Sequence, residues 1–161
     1  VGSYASMVYG EPRTTHDLDI VIDPSAQALE RFLEAIDMDA FYVDPDVARD
    51  ALSRRSSFNV IDMNGAWKVD LMIRRDRAFS AEELSRRTLQ RIVDHDVPTA
   101  TAEDTIIAKL EWAKEGSSER QLADVAGILR LRGEALDRAY LEKWIDTLEL
   151  RAQWERSVAL R

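Results

Sequence analysis

Apolar and polar positions in the first hundred residues follow a pattern that predicts short strands alternating with helices. Residues 18–22 are rich in β-branched side chains, which favours a strand. Apolar runs at residues 58–61 and 67–73 flank Asp62-Met63-Asn64-Gly65. Asn-Gly between two such runs predicts a β-hairpin, because both residues accept a positive φ.

Helix starts in this half are marked by capping residues and prolines. Asp23-Pro24 and Asp44-Pro45 each combine a capping side chain with proline at the first helical position. They predict helices that run to about Ile36 and Arg54. Further expected elements are a helix capped by Ser3 through Tyr9, one capped by Ser80 over residues 81–87, a strand over 89–93 and an edge segment over 97–99.

Beyond Thr101 the apolar positions recur at helical spacing. Residues 101–104 have the form of a capping box, and Ile106, Ile107 and Leu110 line one face of the helix that follows. Three more helices are expected over residues 118–131, 136–148 and 152–160. The pattern as a whole predicts an α+β fold, with a small mixed β-sheet core and flanking helices in residues 1–98 and a helical region in residues 99–161.

The composition excludes several classes of protein. Hydrophobic residues make up 45% of the 161 positions, and no apolar run approaches the roughly 18 residues of a membrane-spanning helix. The absence of cysteine, with only two histidines, excludes disulfides, thiol catalysis and three-histidine zinc sites. The net charge of −8 opposes binding to nucleic-acid backbones unless positive charge is locally concentrated. We expect a cytoplasmic protein with no membrane partner.

Two acidic residues at the start of the first strand are candidates for chemistry. Asp17 and Asp19 are separated by one residue, and alternate residues of a strand point to the same face. Two adjacent carboxylates repel each other unless a cation lies between them. Oxygen ligands without cysteine suit Mg²⁺, as one ion or as two about 3.5–4 Å apart. The alternative is a solvated strand end, because D-x-D also occurs by chance.

A third acidic residue, Asp70, lies inside an otherwise apolar strand. A buried and unpaired carboxylate there would be destabilising. If this strand neighbours the first, Asp70 can face Asp17 and Asp19, complete a metal site and act as a base. The alternative is outward alternation on an antiparallel sheet.

The chain begins at Val1-Gly2-Ser3 with no initiator methionine, which indicates a fragment whose first element is missing or cut short. Glycine lets backbone N–H groups approach a phosphate, and the start of a helix carries partial positive charge. Gly2 and Ser3 are therefore candidates for phosphate binding. A serine that only caps a helix is the alternative.

Together these features resemble the nucleotidyltransferase superfamily of DNA polymerase β. The run from Gly10 to Val21, GEPRTTHDLDIV, is similar to the minimal bacterial members, including the MNT and AbiEii-type toxin groups. Residues 103–110 and 120–124 are similar to the helical part of AbiEii-like members. The resemblance implies a nucleotidyltransferase core in which the first strand of the sheet is missing or barely represented.

The resemblance also implies roles for individual residues. Asp17 and Asp19 would ligate two Mg²⁺ ions, and Asp70 would join one ion and help to deprotonate an acceptor hydroxyl. Gly2 and Ser3 would hold the triphosphate of an incoming nucleotide such as ATP.

Lys109 is a candidate for the triphosphate tail, and Asp124 would orient Lys109 or the helix pair. The alternative for Lys109 is a stem packed on the core with its head in water, since it lies one turn from Ile106. For Asp124 the alternative is a surface ion pair with Arg120, one turn away.

The implied reaction is Mg²⁺-dependent transfer of a nucleoside monophosphate from an NTP to a hydroxyl of a tRNA, a protein or a small molecule, with release of pyrophosphate. The same resemblance implies the toxin of a toxin–antitoxin pair, with an antitoxin protein as partner, and edge pairing could form a homo-oligomer. The alternative is a catalytically inactive module of the same fold that binds a nucleotide or a partner.

Overall fold

The structure, a computed structural model, describes residues 2–10, 17–65, 67–92 and 94–161. Residues 11–16, which carry part of the GEPRTTHDLDIV run, lie outside the described residues. The chain forms two compact units. The sheet unit is Thr14–Leu84, and the helical unit is Val1–Arg13 together with Ser85–Arg161. The predicted division into residues 1–98 and 99–161 stays a prediction.

The elements are short and follow one another closely along the chain. In chain order they are α1 Gly2–Tyr9, β1 Asp17–Ile22, α2 Ala26–Ala35, β2 Phe41–Tyr42, α3 Pro45–Arg54, β3 Ser57–Asp62, β4 Lys68–Ile73, α4 Ala78–Arg86, β5 Thr88–Ile92, β6 His95–Thr99, α5 Ala102–Gly116, α6 Glu119–Arg132, α7 Arg138–Thr147 and α8 Arg151–Ala159. The predicted fold class, a small mixed sheet with flanking helices and a helical C-terminal part, is confirmed.

The four-stranded sheet has the order β1-β4-β3-β2. β3 and β4 are antiparallel and form the hairpin predicted around Asn64-Gly65, whereas β1 is parallel to β4. The first strand is therefore the direct neighbour of the strand that carries Asp70. This adjacency is the condition on which the predicted meeting of the acidic residues depended.

The core of the sheet unit lies on one face of the sheet. Its buried side chains come from α2, α3, the segment between β2 and α3, and alternate positions of β3 and β4; they are Leu29, Val43, Ala48, Ala51, Phe58, Val60, Leu71 and Ile73. Because successive strand residues point to opposite faces, Asp70 lies on the face away from this core. We call that surface the open face; on it, β3, β4 and β1 contribute Asn59, Lys68, Asp70 and Asp19.

Local capping explains where helices α2 and α3 of the sheet unit begin. α3 begins at Pro45 with Asp44 as its cap, as predicted, and the Asp44 carboxylate accepts from the backbone N–H groups of Asp46 and Val47. For α2 the predicted start at Asp23-Pro24 is wrong. Ser25 is the cap, and its hydroxyl accepts from the N–H of Ala28.

Two other expectations differ from the structure, and one strand was not expected. α1 begins at Gly2, so Ser3 lies in its first turn instead of capping it. Ser80 lies inside α4, where it is buried and accepts from the Arg77 side chain, so it is not a cap. β2 was not expected; it is only two residues long and pairs with the end of β3. Segments at 88–92 and 95–99 form a separate two-stranded sheet.

The helical unit has an apolar core formed mainly by α5, α6 and α7. Fully buried side chains include Ile106, Ile107, Leu110, Leu122, Ile128, Leu129, Leu141 and Ile145. Thr101 caps α5 as predicted, and its hydroxyl accepts from the N–H of Asp104. The Asp104 carboxylate, fully buried, accepts from the Tyr140 hydroxyl at 2.5 Å and the Thr101 hydroxyl at 2.7 Å. These bonds hold α7 against the start of α5.

In the described part of the chain, no helix combines the length and the apolar character needed to cross a bilayer.

An ionic clamp joins the ends of the two parallel strands. Asp23, directly after β1, accepts from Arg74 Nε at 2.7 Å and from Arg55 Nη1 at 2.8 Å. The hydrogen bond from Arg74, followed by that from Arg55, holds the pKa of the Asp23 carboxyl below its ordinary value of 3.8. Arg74 follows β4, so the clamp fastens β4 to β1 beyond their last paired residues.

Replacing Asp23 by asparagine is expected to lower the free energy of unfolding at pH 7 by about 1 kcal/mol, the upper end for a partly exposed ion pair. Because folding lowers the pKa of Asp23, its stabilising effect is complete above pH 3.8 and is lost as the pH falls through the lower folded value. Urea unfolding between pH 7 and pH 2.5 measures whether the free energies of unfolding of wild type and Asp23→Asn converge as the pH falls. Asp39→Asn, on an exposed turn, is the control; equal stability of wild type and Asp23→Asn at pH 7 would contradict the clamp.

Candidate active site

Two carboxylate residues lie side by side on the open face. Asp19 of β1 is the register partner of Asp70 of β4. Adjacent strands lie about 4.8 Å apart, and register partners project from the same face of a sheet. The Asp70 side chain is 21% exposed, so it is accessible from solvent and not part of the core. β4 therefore neighbours β1, which is the condition under which Asp70 was expected to face Asp19.

Asp17 is the register partner of Lys68, two residues along the strands from the Asp19 and Asp70 pair. The backbone of Asp17 belongs to β1, whereas its side chain lies outside the described residues. Its predicted participation in the site stays a prediction.

Lys68 is a member of this group of residues that the sequence interpretation missed. Its ammonium lies 2.9 Å from Asp70 Oδ2, and its side chain is 37% exposed. Residues two apart on a strand share a face, so K-x-D in a strand is the signal that could have identified the pair. The open face therefore carries a positively charged lysine side chain next to its carboxylates.

Asn59 completes the group from the other side of β4. It is the register partner of Asp70 in the β3–β4 hairpin, and it is exposed. An amide at this position adds a neutral donor and acceptor beside the carboxylate. Three adjacent strands thus bring Asn59, Asp70 and Asp19 into one row across the sheet.

Arg74 of the clamp also stabilises the strand pairing that forms this row. Its backbone N–H donates to the Ile22 carbonyl at 2.8 Å, and its side chain is 16% exposed. A guanidinium so engaged with Asp23 serves the pairing of β1 with β4. The contacts of Arg74 at the ends of β1 and β4 therefore stabilise the register that places Asp19 opposite Asp70.

The helical unit contains the other predicted site residues. Gly2 starts α1 with a φ of 67°, in the left-handed region that favours glycine, and α1 packs against α5 and α6. The side chain of Ser3 lies outside the described residues. The binding of phosphate by Gly2 and Ser3 stays a prediction.

Lys109 of α5 is buried, with only 3% of its side chain exposed. Its ammonium donates to Asp124 Oδ2 at 2.7 Å and to Gln121 Oε1 at 2.8 Å, both on α6. The alternative of a lysine head in water is therefore wrong, because the head lies inside the unit. The predicted contact of Asp124 with Lys109 is present, and a role for Lys109 in nucleotide binding stays a prediction.

The donor chemistry of the open face fits a hard divalent cation. Carboxylate oxygens are the ligands that Mg²⁺ prefers, and Asp19 and Asp70 offer them from rigid neighbouring strands. Among the side chains that the structure describes, no group of three or more histidines, cysteines or acidic residues is arranged to hold a metal ion. The described part of the site thus offers two carboxylate side chains, and a metal held by Asp17, Asp19 and Asp70 stays a prediction.

A small α+β core whose open sheet face carries paired strand carboxylates is the arrangement expected of a nucleotidyltransferase. The family model described as nucleotidyl transferase AbiEii toxin, type IV toxin–antitoxin system, matches residues 3–158. The chain belongs to this family, which confirms the resemblance found in its motifs and extends it through the helical C-terminal part. None of the curated proteins compared with the chain matches it.

The buried ion pair of the helical unit makes a testable contribution to stability. Lys109→Met is expected to lower the free energy of unfolding by about 3 kcal/mol, because it takes the ammonium away from a largely buried carboxylate. The double variant Lys109→Met/Asp124→Leu should recover most of this loss, since neither charge is then buried. Urea unfolding at pH 7 gives both values.

Lys114→Met is the matched control, because Lys114 is also on α5 but is 42% exposed. Its effect should stay within about 0.5 kcal/mol. A Lys109→Met variant no less stable than Lys114→Met would contradict the contribution of the buried pair to stability.

Proposed function

We propose that this protein is a Mg²⁺-dependent nucleotidyltransferase that transfers a nucleoside monophosphate from an NTP to a hydroxyl acceptor. The observation that carries the proposal is the register pairing of Asp19 with Asp70 on the open face of the sheet. Membership of a nucleotidyl transferase family supports the same reaction class. We infer that Asp17, Asp19 and Asp70 are the catalytic residues and the ligands of the metal.

The reaction requires one bond to form and one to break at the α-phosphorus. The acceptor oxygen attacks that phosphorus in line, the bond to the oxygen that bridges to the β-phosphate breaks, and pyrophosphate leaves. In this proposal the Asp70 carboxylate accepts the proton of the attacking hydroxyl. Asp17, Asp19 and Asp70 would hold Mg²⁺, as two ions, which would neutralise triphosphate charge and polarise the α-phosphate.

Residues of the helical unit are proposed to bind the triphosphate. Backbone N–H groups at the start of α1, at Gly2 and Ser3, suit phosphate oxygens. The Lys109 ammonium would act as a point charge toward the triphosphate tail. Its hydrogen bonds to Asp124 and Gln121 hold the ammonium group in a fixed position.

The charge of the sheet unit bears on the acceptor. Residues 14–84 carry fifteen Asp and Glu against eight Lys and Arg. Such a surface repels an extended phosphate backbone, so a small molecule, a protein side chain or the terminal hydroxyl of a tRNA suits it better than a long nucleic acid. As a member of a toxin family of type IV toxin–antitoxin systems, the protein is proposed to act in the cytoplasm beside a cognate antitoxin protein.

Label transfer from each of four α-labelled NTPs, with Mg²⁺ and a cell lysate, tests the reaction and identifies the nucleotide and the size of the acceptor. Asp19→Asn and Asp70→Asn are expected to lower the rate at least about 100-fold, because metal and base together supply several kcal/mol of transition-state stabilisation. Asp39→Asn, an exposed acidic residue of the same unit, should transfer label at the wild-type rate.

Two outcomes would contradict the proposal. Unchanged rates in Asp19→Asn and Asp70→Asn would remove these carboxylates from the site. The absence of label with every NTP, in a folded protein, would favour a module that binds a nucleotide or a partner without catalysis.

Nucleotide binding can be measured apart from turnover. An NTP with Mg²⁺ at 100 times its Kd should stabilise the folded state by about 2.7 kcal/mol, seen as a rise in Tm. Asp19→Asn should abolish this rise if the carboxylate holds the metal that accompanies the nucleotide. The same rise in wild type and in Asp19→Asn would contradict that role.

A further inference from the structure

Lys68 is the charged residue of the open face that neither the motif nor the proposed reaction employs. It projects from β4 on the same face as Asp70, two residues away, with its ammonium 2.9 Å from Asp70 Oδ2. We propose that Lys68 is a built-in counter-ion of the carboxylate pair, which a divalent cation displaces from Asp70. This inference rests on the proposed function, because it takes Asp70 to be a ligand of that cation.

The need for a counter-ion follows from the register. Asp19 and Asp70 are directly opposite each other on parallel strands about 4.8 Å apart, where like charges destabilise the pairing. An ammonium bound to Asp70 offsets that repulsion when no metal is present. Lys68 thereby stabilises the folded sheet in the metal-free state.

The same geometry makes the ammonium and a metal compete for Asp70. A Mg²⁺ ion binds a carboxylate oxygen at about 2.0–2.1 Å, so a cation on Asp70 and an ammonium 2.9 Å from Oδ2 would repel each other at close range. Lysine can yield, because its charge is carried on a flexible four-carbon stem. The Lys68 side chain is 37% exposed, which leaves its head a route into solvent.

A purely structural ion pair would behave differently. It would stabilise the fold equally with and without metal, and its removal would not strengthen metal binding. A competing counter-ion must weaken cation binding by the same free energy with which it holds Asp70, since the two equilibria are linked. Cation affinity is therefore the readout that separates the two roles.

The experiment is a titration of the intact chain with Mn²⁺ or Mg²⁺ alone, without nucleotide, by isothermal titration calorimetry. Trp67, adjacent to Lys68 in sequence and 47% exposed, provides a second signal through its fluorescence. Lys68→Met is expected to bind the cation about three- to fivefold more tightly than wild type, the scale of a partly exposed ion pair. Lys68→Arg, which keeps the charge, should remain close to wild type.

Lys114→Met is the matched control for loss of one lysine charge, since Lys114 is similarly exposed and belongs to the helical unit. Its cation affinity should equal that of wild type. Thermal unfolding supplies a second comparison: Lys68→Met should lower Tm in EDTA, and saturating Mn²⁺ should reduce or reverse that difference.

Each failure has its own signature. If wild type binds the cation and Lys68→Met binds it equally or more weakly, Lys68 is not a competing counter-ion and the inference is wrong. If folded wild type and Lys68→Met both bind no divalent cation, the inference is wrong, whereas the proposed transfer reaction stands or falls separately on label transfer with NTP and Mg²⁺.

Discussion

The pairing of β1 with β4 is the constraint on which the rest of the sheet unit depends. In this pairing Ile22 lies opposite Ile73 and Asp19 lies opposite Asp70. A slip of one residue would move every side chain of a strand to the other face, burying carboxylates and exposing the isoleucines. The hydrophobic core thus enforces the geometry of the polar face, and the packing that stabilises the sheet is also what brings the two acidic residues together.

Polar interactions add specificity to both units in different ways. In the sheet unit, the clamp of Asp23 with Arg55 and Arg74 is at the end of the parallel pair and partly exposed. In the helical unit, Lys109 and Asp104 are buried and hydrogen-bonded to side chains of neighbouring helices. Buried charges tolerate few alternative arrangements, so they restrict how helices α5, α6 and α7 can pack.

Sequence reasoning succeeded where a feature depends on neighbouring residues. Asp44-Pro45, the Asn64-Gly65 turn and the Thr101 cap are local signals, and each lies where it was expected. The start of α2 was misplaced because Asp23 binds arginines that are distant in sequence instead of capping the helix. The burial of Lys109 and the pairing of Lys68 were missed for a related reason: periodicity identifies a face, but it does not reveal which charge another strand or helix places opposite.

The short edge strand β2 has a consequence for the behaviour of the protein at high concentration. β2 ends the order of the described sheet with only Phe41 and Tyr42, both exposed aromatics. Aromatic residues on an open strand edge favour aggregation, whereas a strand of two residues offers too few free backbone groups to template the addition of another chain. The shortness of β2 therefore protects this edge of the sheet from fibril-like growth, and an insertion that lengthened β2 would remove the protection.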